Sequence, residues 1–586
     1  MYIENINSPA DVKKLNIMQL NVLAEEMRHA LLTRASKHGG HFGPNFGMVE
    51  AIIAMHYVFD SPKDKIVFDV SHQCYPHKML TGRKDAYLYE EHYDDVSGYT
   101  NPDESEHDFF TIGHTSTSVS LAMGLAKGRD LTGGKENIIA VIGDGSLSGG
   151  EALEGLNNAA MLGSNMIIIV NDNDQSIAEN HGGLYKGLKE LRDTNGESPD
   201  NIFKAMGLEY YYLGDGHDVS ALIKLFTSVK DIDRAVVLHI HTIKGKGLKY
   251  AEENKEYWHA GGPFHIEDGS PKGPGWPVNE TVRESVLDLI EKRSDVVAIT
   301  AGTPSVIGFT EDYRKRAGKQ FVDVGIAEEH AVAMASGIAR NGGTPIFGVF
   351  SPFLQRTYDQ LSSDLCLNNN PAVIMVFMAS VYGMNSNTHL GIYDIPMISH
   401  IPNLVYLAPT SKEEYLAMFK YATTQKAHPI AIRIPMMMPE TGIEDTTDYS
   451  LLNKYQVVRK GSSVAIIALG DFFELGVQIA DKYKILTGND VTLINPKFIT
   501  GIDEELLECL KTDHKLVLTL EDGIVEGGFG QTIASFYGLS DMKVKNYGIK
   551  KSFPTDFRPE ELMRENGLSV EQIVEDIKSV CREHVM

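Results

Sequence analysis

Short apolar runs dense in Ile and Val recur along the chain and alternate with segments whose apolar positions fall at helical spacing. Ile138–Ile142 and Met166–Val170 are apolar throughout, the pattern of parallel strands buried on both faces. Between them, Glu151–Leu162 has the spacing of a crossover helix. Lys65–Val70 and Ala235–His239 repeat the strand pattern. Met18–Leu32 reads as an amphipathic helix, Ser36–Asn45 as a Gly-rich loop and Val119–Lys127 as a helix of small residues. Further on, βα units resume with runs at Val296–Thr300, Phe321–Val324, Thr344–Val349, Val373–Phe377 and Leu404–Leu407. A last set, Ser463–Leu469, Asp490–Ile494 and Leu516–Glu521, alternates with helices such as Glu504–Leu510. This alternation predicts an α/β protein of three doubly wound domains with mostly parallel sheets. The Pro/Gly-rich stretch Gly269–Pro277 reads as a linker and Met436–Asp448 as a second candidate. The expected division is 1–270, a linker at 271–277, 278–440 and 441–586.

The ends of these runs carry the chemistry. The first strand of the central βαβ unit breaks at Gly143-Asp144-Gly145, and the next ends in Asn171-Asp172-Asn173. Ligands of open parallel sheets sit at the carboxyl ends of strands, where both Asp144 and Asn173 fall. A carboxylate, an amide oxygen and backbone carbonyls make a hard-oxygen set suited to Mg²⁺, with diphosphate oxygens completing the shell. Gly-Asp-Gly alone is a common turn. The 27 residues between Gly145 and Asn173, with strands at both ends, favour the metal reading.

Histidines gather in Gly-containing segments: His41, His72, His114, His259 and His389. One loop histidine is ordinary surface; five suggest a proton-handling site. None has the i,i+4 pairing of a metal motif. Glu328 and Glu329 open a helix, where acids complement the dipole. Phe350 and Phe353 follow a strand and could stack on an aromatic ring, although Phe350 serves equally well as a core residue.

Composition narrows the class. At 586 residues there is room for about three or four domains. A net charge of −25 argues against nucleic acid, which requires a concentrated basic face. It also means that an anionic cofactor must be held locally by metal and backbone N–H groups. Cys74, Cys366, Cys509 and Cys581 lie far apart, so neither a disulfide framework nor a zinc site is suggested. The N-terminus lacks a basic start followed by an apolar core, and no apolar run approaches the roughly 20 residues of a membrane span. A cytoplasmic protein with no membrane partner is expected.

With these residues assembled, the GDG…NDN spacing is similar to the thiamine diphosphate motif of the transketolase superfamily. The segments INSPADVKKL, GGHFGPNFG, DKIVFDVSHQCYPHKMLTGR, GHTSTSVS, YLGDGHD, DVGIAEEHAV, FLQRTYDQ and HIPNLVYLAPTS resemble the 1-deoxy-D-xylulose 5-phosphate synthase family. The resemblance covers nearly the full length and is closer than that to ordinary transketolase. It implies a transketolase-like thiamine diphosphate-binding fold, thiamine diphosphate and Mg²⁺ as cofactors, and a homodimer. The implied reaction decarboxylates pyruvate and adds the two-carbon unit to glyceraldehyde 3-phosphate. By the same resemblance Asp144, Asn173 and the carbonyl of Gln175 would ligate Mg²⁺. Glu328 would be the carboxylate on the aminopyrimidine N1′, with Phe353 stacked on that ring. His41, His259 and His389 would act on substrate. His72, His114, Ser116, Gly143, Gly145, Ser146, Lys244 and Ile326 would lie on the cofactor side.

The departures from the family pattern fall in one place. Phe377-Met378-Ala379-Ser380 stands for D-R-A-G, and Arg433-Ile434-Pro435-Met436-Met437 for R-Y-P-R-G. The two arginines that would clamp the acceptor phosphate are therefore Met378 and Met436. Asn385 replaces the acid of D-G-P-T-H, and Phe350 a pocket tyrosine. A thioether offers neither charge nor donor, and each lost contact to a charged group costs roughly 1.5–3 kcal/mol. The expectation is a retained donor half, acting on pyruvate or a related 2-oxo acid, and an altered aldehyde acceptor. Ketol transfer between sugars, as in transketolase, is the alternative. A binding-only paralogue is disfavoured by the retained Asp144, Asn173, Glu328 and His41. The family's long segment after NDN is cut to 25 residues, 177–201, which alters a lid or, as the better reading, removes a loop.

Overall fold

The computed structural model describes residues 1–273 and 279–582, so residues 274–277 of the expected linker lie outside the described residues. The chain forms two compact units, Met1–Pro277 with Val324–Ala327, and Val278–Asp323 with Glu328–Met586.

In the first unit, strands β1 (Lys65–Phe68), β2 (Ile138–Gly143), β3 (Met166–Asp172), β4 (Glu209–Leu213) and β5 (Ala235–His241) form a parallel sheet in the order β1-β2-β3-β5-β4. Strand parity divides its core. Ile139, Val141, Ile167 and Ile169 pack with helices α1 (Ile17–His38) and α2 (Gly43–Val58) on one face. Ile138, Ala140, Ile142 and Ile168 pack with α3 (Ser118–Thr132), α4 (Gly150–Ala159) and α5 (Gly183–Asp193) on the other. Burial on both faces is why these runs are apolar without alternation.

The expected Gly-rich loop at Ser36–Asn45 is mostly helix ends. α1 continues to His38 behind a capping box formed by Asn16 and Gln19, and α2 begins at Gly43 with Pro44 in its first turn. Between them Gly40–His41 pairs antiparallel with Ala260–Gly261.

The second unit holds two sheets. Strands β6 (Val296–Thr300), β7 (Phe321–Asp323), β8 (Thr344–Phe350), β9 (Val373–Phe377), β10 (Val405–Leu407) and β11 (Ile430–Arg433) are parallel, in the order β10-β11-β9-β8-β6-β7. The last sheet orders β12 (Gln456–Arg459), β13 (Ser463–Ala468), β14 (Thr492–Asn495), β15 (His514–Ile524) and β16 (Lys543–Ile549) as β12-β14-β13-β15-β16, with only β12 antiparallel. β15 outruns its apolar stretch through the buried Glu521 and Asp522: Glu521 accepts from the N–H groups of Phe529 and Gly530, and Asp522 pairs with Arg433 through one oxygen. Among the described residues no helix is long and apolar enough to cross a membrane.

Candidate active site

In the first unit, the carboxyl ends of β2 and β3 lie side by side, with Gly143 opposite Asn171 in register. The chain leaves β2 through a tight turn, Gly145–Ser148. The Asp144 N–H donates to the Asn171 carbonyl at 3.0 Å, which fixes the buried carboxylate against the end of β3. Its Oδ2 accepts from the Gln175 N–H at 3.0 Å and from Asn180 Nδ2 at 2.8 Å. Burial, reinforced by the charge of Asp172, pushes Asp144 up to about 7. Gly145 is required by close approach, because a Cβ there would meet Ser176 Cα at 3.2 Å. The Asn173 side-chain oxygen is buried with no hydrogen-bond partner, an arrangement that costs free energy unless a ligand completes it.

Around this pair, Ser116 adopts a left-handed φ of 73°. Its N–H donates to Asp69 Oδ1 at 2.8 Å and its hydroxyl to the Ser146 carbonyl at 2.7 Å. Asp69, which the sequence pattern did not single out, also accepts from the Ser118 N–H at 2.9 Å and is raised by burial. Lys244 is buried and donates to the Ser176 carbonyl; burial lowers it to about 7. Ile326, in the segment 324–327 that belongs to this unit, donates its N–H to Ser148 Oγ at 3.0 Å.

The Gly40–His41 bridge brings three of the expected histidines together. The His41 ring lies 5.2 Å from His72 and 5.9 Å from His259, and His72 and His259 stack at 5.2 Å. Burial lowers His41 to about 4 and His259 well below its usual range, so both are neutral imidazoles. Asn45 sets the cluster: its amide nitrogen donates to the carbonyls of His41 and His72, and its oxygen accepts from the Tyr75 N–H. Asn45 lay unremarked in the Gly-rich stretch, because only the fold brings residues 41 and 72 to one amide. His114 sits half-buried in the loop before α3.

In the second unit, Glu328 opens the helix Glu328–Arg340. The side chain is buried, Oε2 has no hydrogen-bond partner, and Arg356 stands 4.0 Å away. Burial raises this carboxyl to about 7. Phe353 lies edge-on to Phe350 at 6.0 Å and to His389 at 5.6 Å. Phe350 and Phe377 are in register, as are Val376 and Arg433. Phe350, Met378 and Met436 therefore mark the carboxyl ends of three adjacent strands. Met378 has a left-handed φ of 56°, and Met436 donates its N–H to Asp471 at 3.0 Å. Asn385 is exposed and donates to the Phe557 carbonyl at 3.1 Å.

A cluster that spacing could not reveal lies behind these strand ends. The buried Arg433 donates to Asp394 at 2.8 Å through Nε and to Asp522 through Nη1. Tyr406 donates to Asp394 at 2.5 Å.

A family model described as 1-deoxy-D-xylulose-5-phosphate synthase matches residues 3–198 and 194–242. Models for the transketolase pyrimidine binding domain and the transketolase C-terminal domain match 277–439 and 453–573. A 1-deoxy-D-xylulose-5-phosphate synthase of Carboxydothermus hydrogenoformans is 36% identical, covering 97% of this chain and 98% of that protein. One from Alkaliphilus oremlandii is 37% identical, covering 98% and 99%. The chain belongs to the 1-deoxy-D-xylulose-5-phosphate synthase family. Among solved structures, a transketolase from Campylobacter jejuni aligns with a TM-score of 0.44 at 16% identity, covering 96% of this chain and 100% of that one. The chain is thus a transketolase-type transferase of α/β fold. Its family uses thiamine diphosphate with a divalent metal such as Mg²⁺. The residues present fit such a metal: the Asn173 oxygen lacks a partner, the Asp144 carboxylate is buried beside it in the fold, and both are hard donors.

Proposed function

We propose that the protein transfers the two-carbon unit of pyruvate, or a related 2-oxo acid, to an aldehyde that is not held by a phosphate clamp. The observation that carries the reading is the buried Glu328 carboxyl, raised to about 7, with one oxygen that accepts no hydrogen bond. Thiamine diphosphate, when bound, supplies the electron sink for decarboxylation and carbon–carbon bond formation. Asp144, Asn173 and the Gln175 carbonyl would hold the metal, and Lys244 would face the cofactor's anionic end. Glu328 would keep a proton at N1′ of the aminopyrimidine, with Phe353 against that ring. His41 and His259, both neutral, can donate to or accept from a substrate oxygen near neutral pH.

The acceptor end is supported by charge as well as by residue type. Met378 and Met436 stand at strand ends where the neighbouring guanidinium, Arg433, is already consumed by Asp394 and Asp522. Asp471, beneath Met436, adds a further carboxyl that burial raises to about 7. A phosphate there would meet thioethers and acids. Domain limits of 1–270, 278–440 and 441–586, a homodimer and a cytoplasmic location complete the proposal.

The decisive assay supplies pyruvate with glyceraldehyde 3-phosphate or with unphosphorylated aldehydes and measures CO₂ and product mass. CO₂ release with a higher kcat/KM for the unphosphorylated acceptor is expected. Ketol transfer between sugars without CO₂ release would overturn the donor assignment, and a preference for the phosphorylated aldehyde the acceptor assignment. Replacing Glu328 with Gln should lower turnover by about 10²-fold or more while leaving metal–diphosphate affinity within a few-fold.

A further inference from the structure

The segment following the Asn171-Asp172-Asn173 turn, read from sequence as a shortened loop, is tied to the candidate metal site at four points. Lys244 donates to the Ser176 carbonyl. Asn180 donates to Asp144 Oδ2 at 2.8 Å, and its own amide oxygen is buried without a partner. The Tyr185 hydroxyl donates to the Gly145 carbonyl at 3.1 Å. Arg192, near the end of α5, reaches both oxygens of Asp172 through Nη1 at 2.8 and 2.6 Å, and Asp174 through Nη2 at 2.7 Å. α5 is itself fixed in the core by Tyr185, Leu188 and Leu191.

Two consequences follow for the proposed ligands. Asp144 Oδ2 already accepts from Asn180 and from the Gln175 N–H, so the carboxylate cannot rotate freely and its remaining lone pairs have a set direction. Asn173 lies between Asp172 and Asp174, which one guanidinium fork grips together. Asp174 has a left-handed φ of 59°, an unfavourable conformation that surrounding contacts must hold. From the other side Asp172 accepts from His239 Nε2 at 2.8 Å, and His239 Nδ1 meets the Tyr210 hydroxyl at 2.8 Å. The turn is gripped on both sides.

We infer that Asn180 and Arg192 are positioning residues for the divalent metal: Asn180 aims the Asp144 carboxylate, and Arg192 holds the Asp172–Asp174 turn so that Asn173 presents its oxygen. The inference rests on the proposed metal role of Asp144 and Asn173. Outer partners that orient a ligand typically govern metal affinity by about 10- to 100-fold, without being ligands themselves. Arg192 suits its task because a planar fork can hold two carboxylates in one geometry, which an ammonium cannot.

The test is calorimetric titration of Mg²⁺ into metal-free protein in the presence of thiamine diphosphate, for wild type, Asn180→Ala, Arg192→Met and Arg192→Lys. Asn180→Ala and Arg192→Met should weaken Mg²⁺ about 10- to 100-fold, and Arg192→Lys should recover part of the loss. The melting temperature of the metal-free Asn180→Ala protein should stay within a few degrees of wild type, which separates positioning from a general loss of structure. Hydrogen exchange across 176–193 should slow on Mg²⁺ addition in wild type and respond less in Asn180→Ala. Mg²⁺ affinity within twofold of wild type in Asn180→Ala would overturn the inference while leaving the proposed function intact. Failure of wild type to bind Mg²⁺ with thiamine diphosphate would overturn both. If Arg192→Met does not fold, Asn180→Ala alone decides.

Discussion

At the scale of single residues, burial decides protonation, and Glu328 illustrates the sign. Its folded value of about 7 stands above the ordinary carboxyl value of 4.5. Between those two pH values the native chain keeps a proton that the unfolded chain has lost, so stability falls as pH rises through that window. A glutamine at 328 does not titrate. Urea melts should therefore show Glu328→Gln gaining on wild type between pH 5 and pH 8, by up to about 3 kcal/mol. A difference that stays flat with pH would mean the carboxyl is charged in the native state. The buried histidines carry the opposite sign, since depressed values for His41 and His259 cost stability on acidification. None of this is visible in spacing: Glu328 and Glu329 are alike by position at the start of a helix, the family resemblance picks the first, and packing buries it.

At the scale of elements, the site depends on short connections rather than on the strands that carry them. Strand runs such as Val296–Thr300 and Val373–Phe377 were legible to the residue, because continuous burial on both faces writes a continuous apolar run. The pairing of Gly40–His41 with Ala260–Gly261 was not, because two residues carry no periodicity. Its effect is nonetheless to set His41 beside His259. The turn Gly145–Ser148 behaves similarly. Ser148 Oγ donates to the Gly145 carbonyl at 2.9 Å and accepts from the Ile326 N–H at 3.0 Å, so one hydroxyl ties the glycine turn to the segment preceding Glu328. With a net worth of about 1 kcal/mol for such a bond, Ser148→Ala should speed exchange of the Ile326 amide about fivefold. An unchanged exchange rate would assign that protection to packing instead.

At the scale of the molecule, charge buried between elements replaces what sequence comparison leads one to expect. Arg433, at the end of β11, reaches Asp522 on β15 and Asp394 on a separate helix, and so joins the two sheets of the second unit. Truncating one member of a buried ion cluster leaves its partners uncompensated, typically at about 3–5 kcal/mol. Arg433→Met should destabilise the second unit by that amount and broaden its unfolding transition. A loss below about 1 kcal/mol would mean the carboxyls are compensated without this guanidinium. The same engagement leaves this guanidinium paired within the second unit rather than free for an anion.

The amino-acid sequence by itself determined the α/β class and most of the fully buried strands, because a parallel strand covered on both faces writes a continuous apolar run; the strands Glu209–Leu213, Ile430–Arg433, Gln456–Arg459 and Lys543–Ile549 were not read from it. It also singled out Met378 and Met436, on which the proposed change of acceptor rests, since a missing cation needs no coordinates to be noticed. The tertiary structure alone decided which groups are buried and what they meet. The depressed His41, the raised carboxyl of Glu328, the shared amide of Asn45, the Arg433 cluster and the bonds of Asn180 to Asp144 and of Arg192 to Asp172 and Asp174 all join residues apart along the chain. Burial and long-range hydrogen bonding are properties of the packed chain, and no local pattern encodes them.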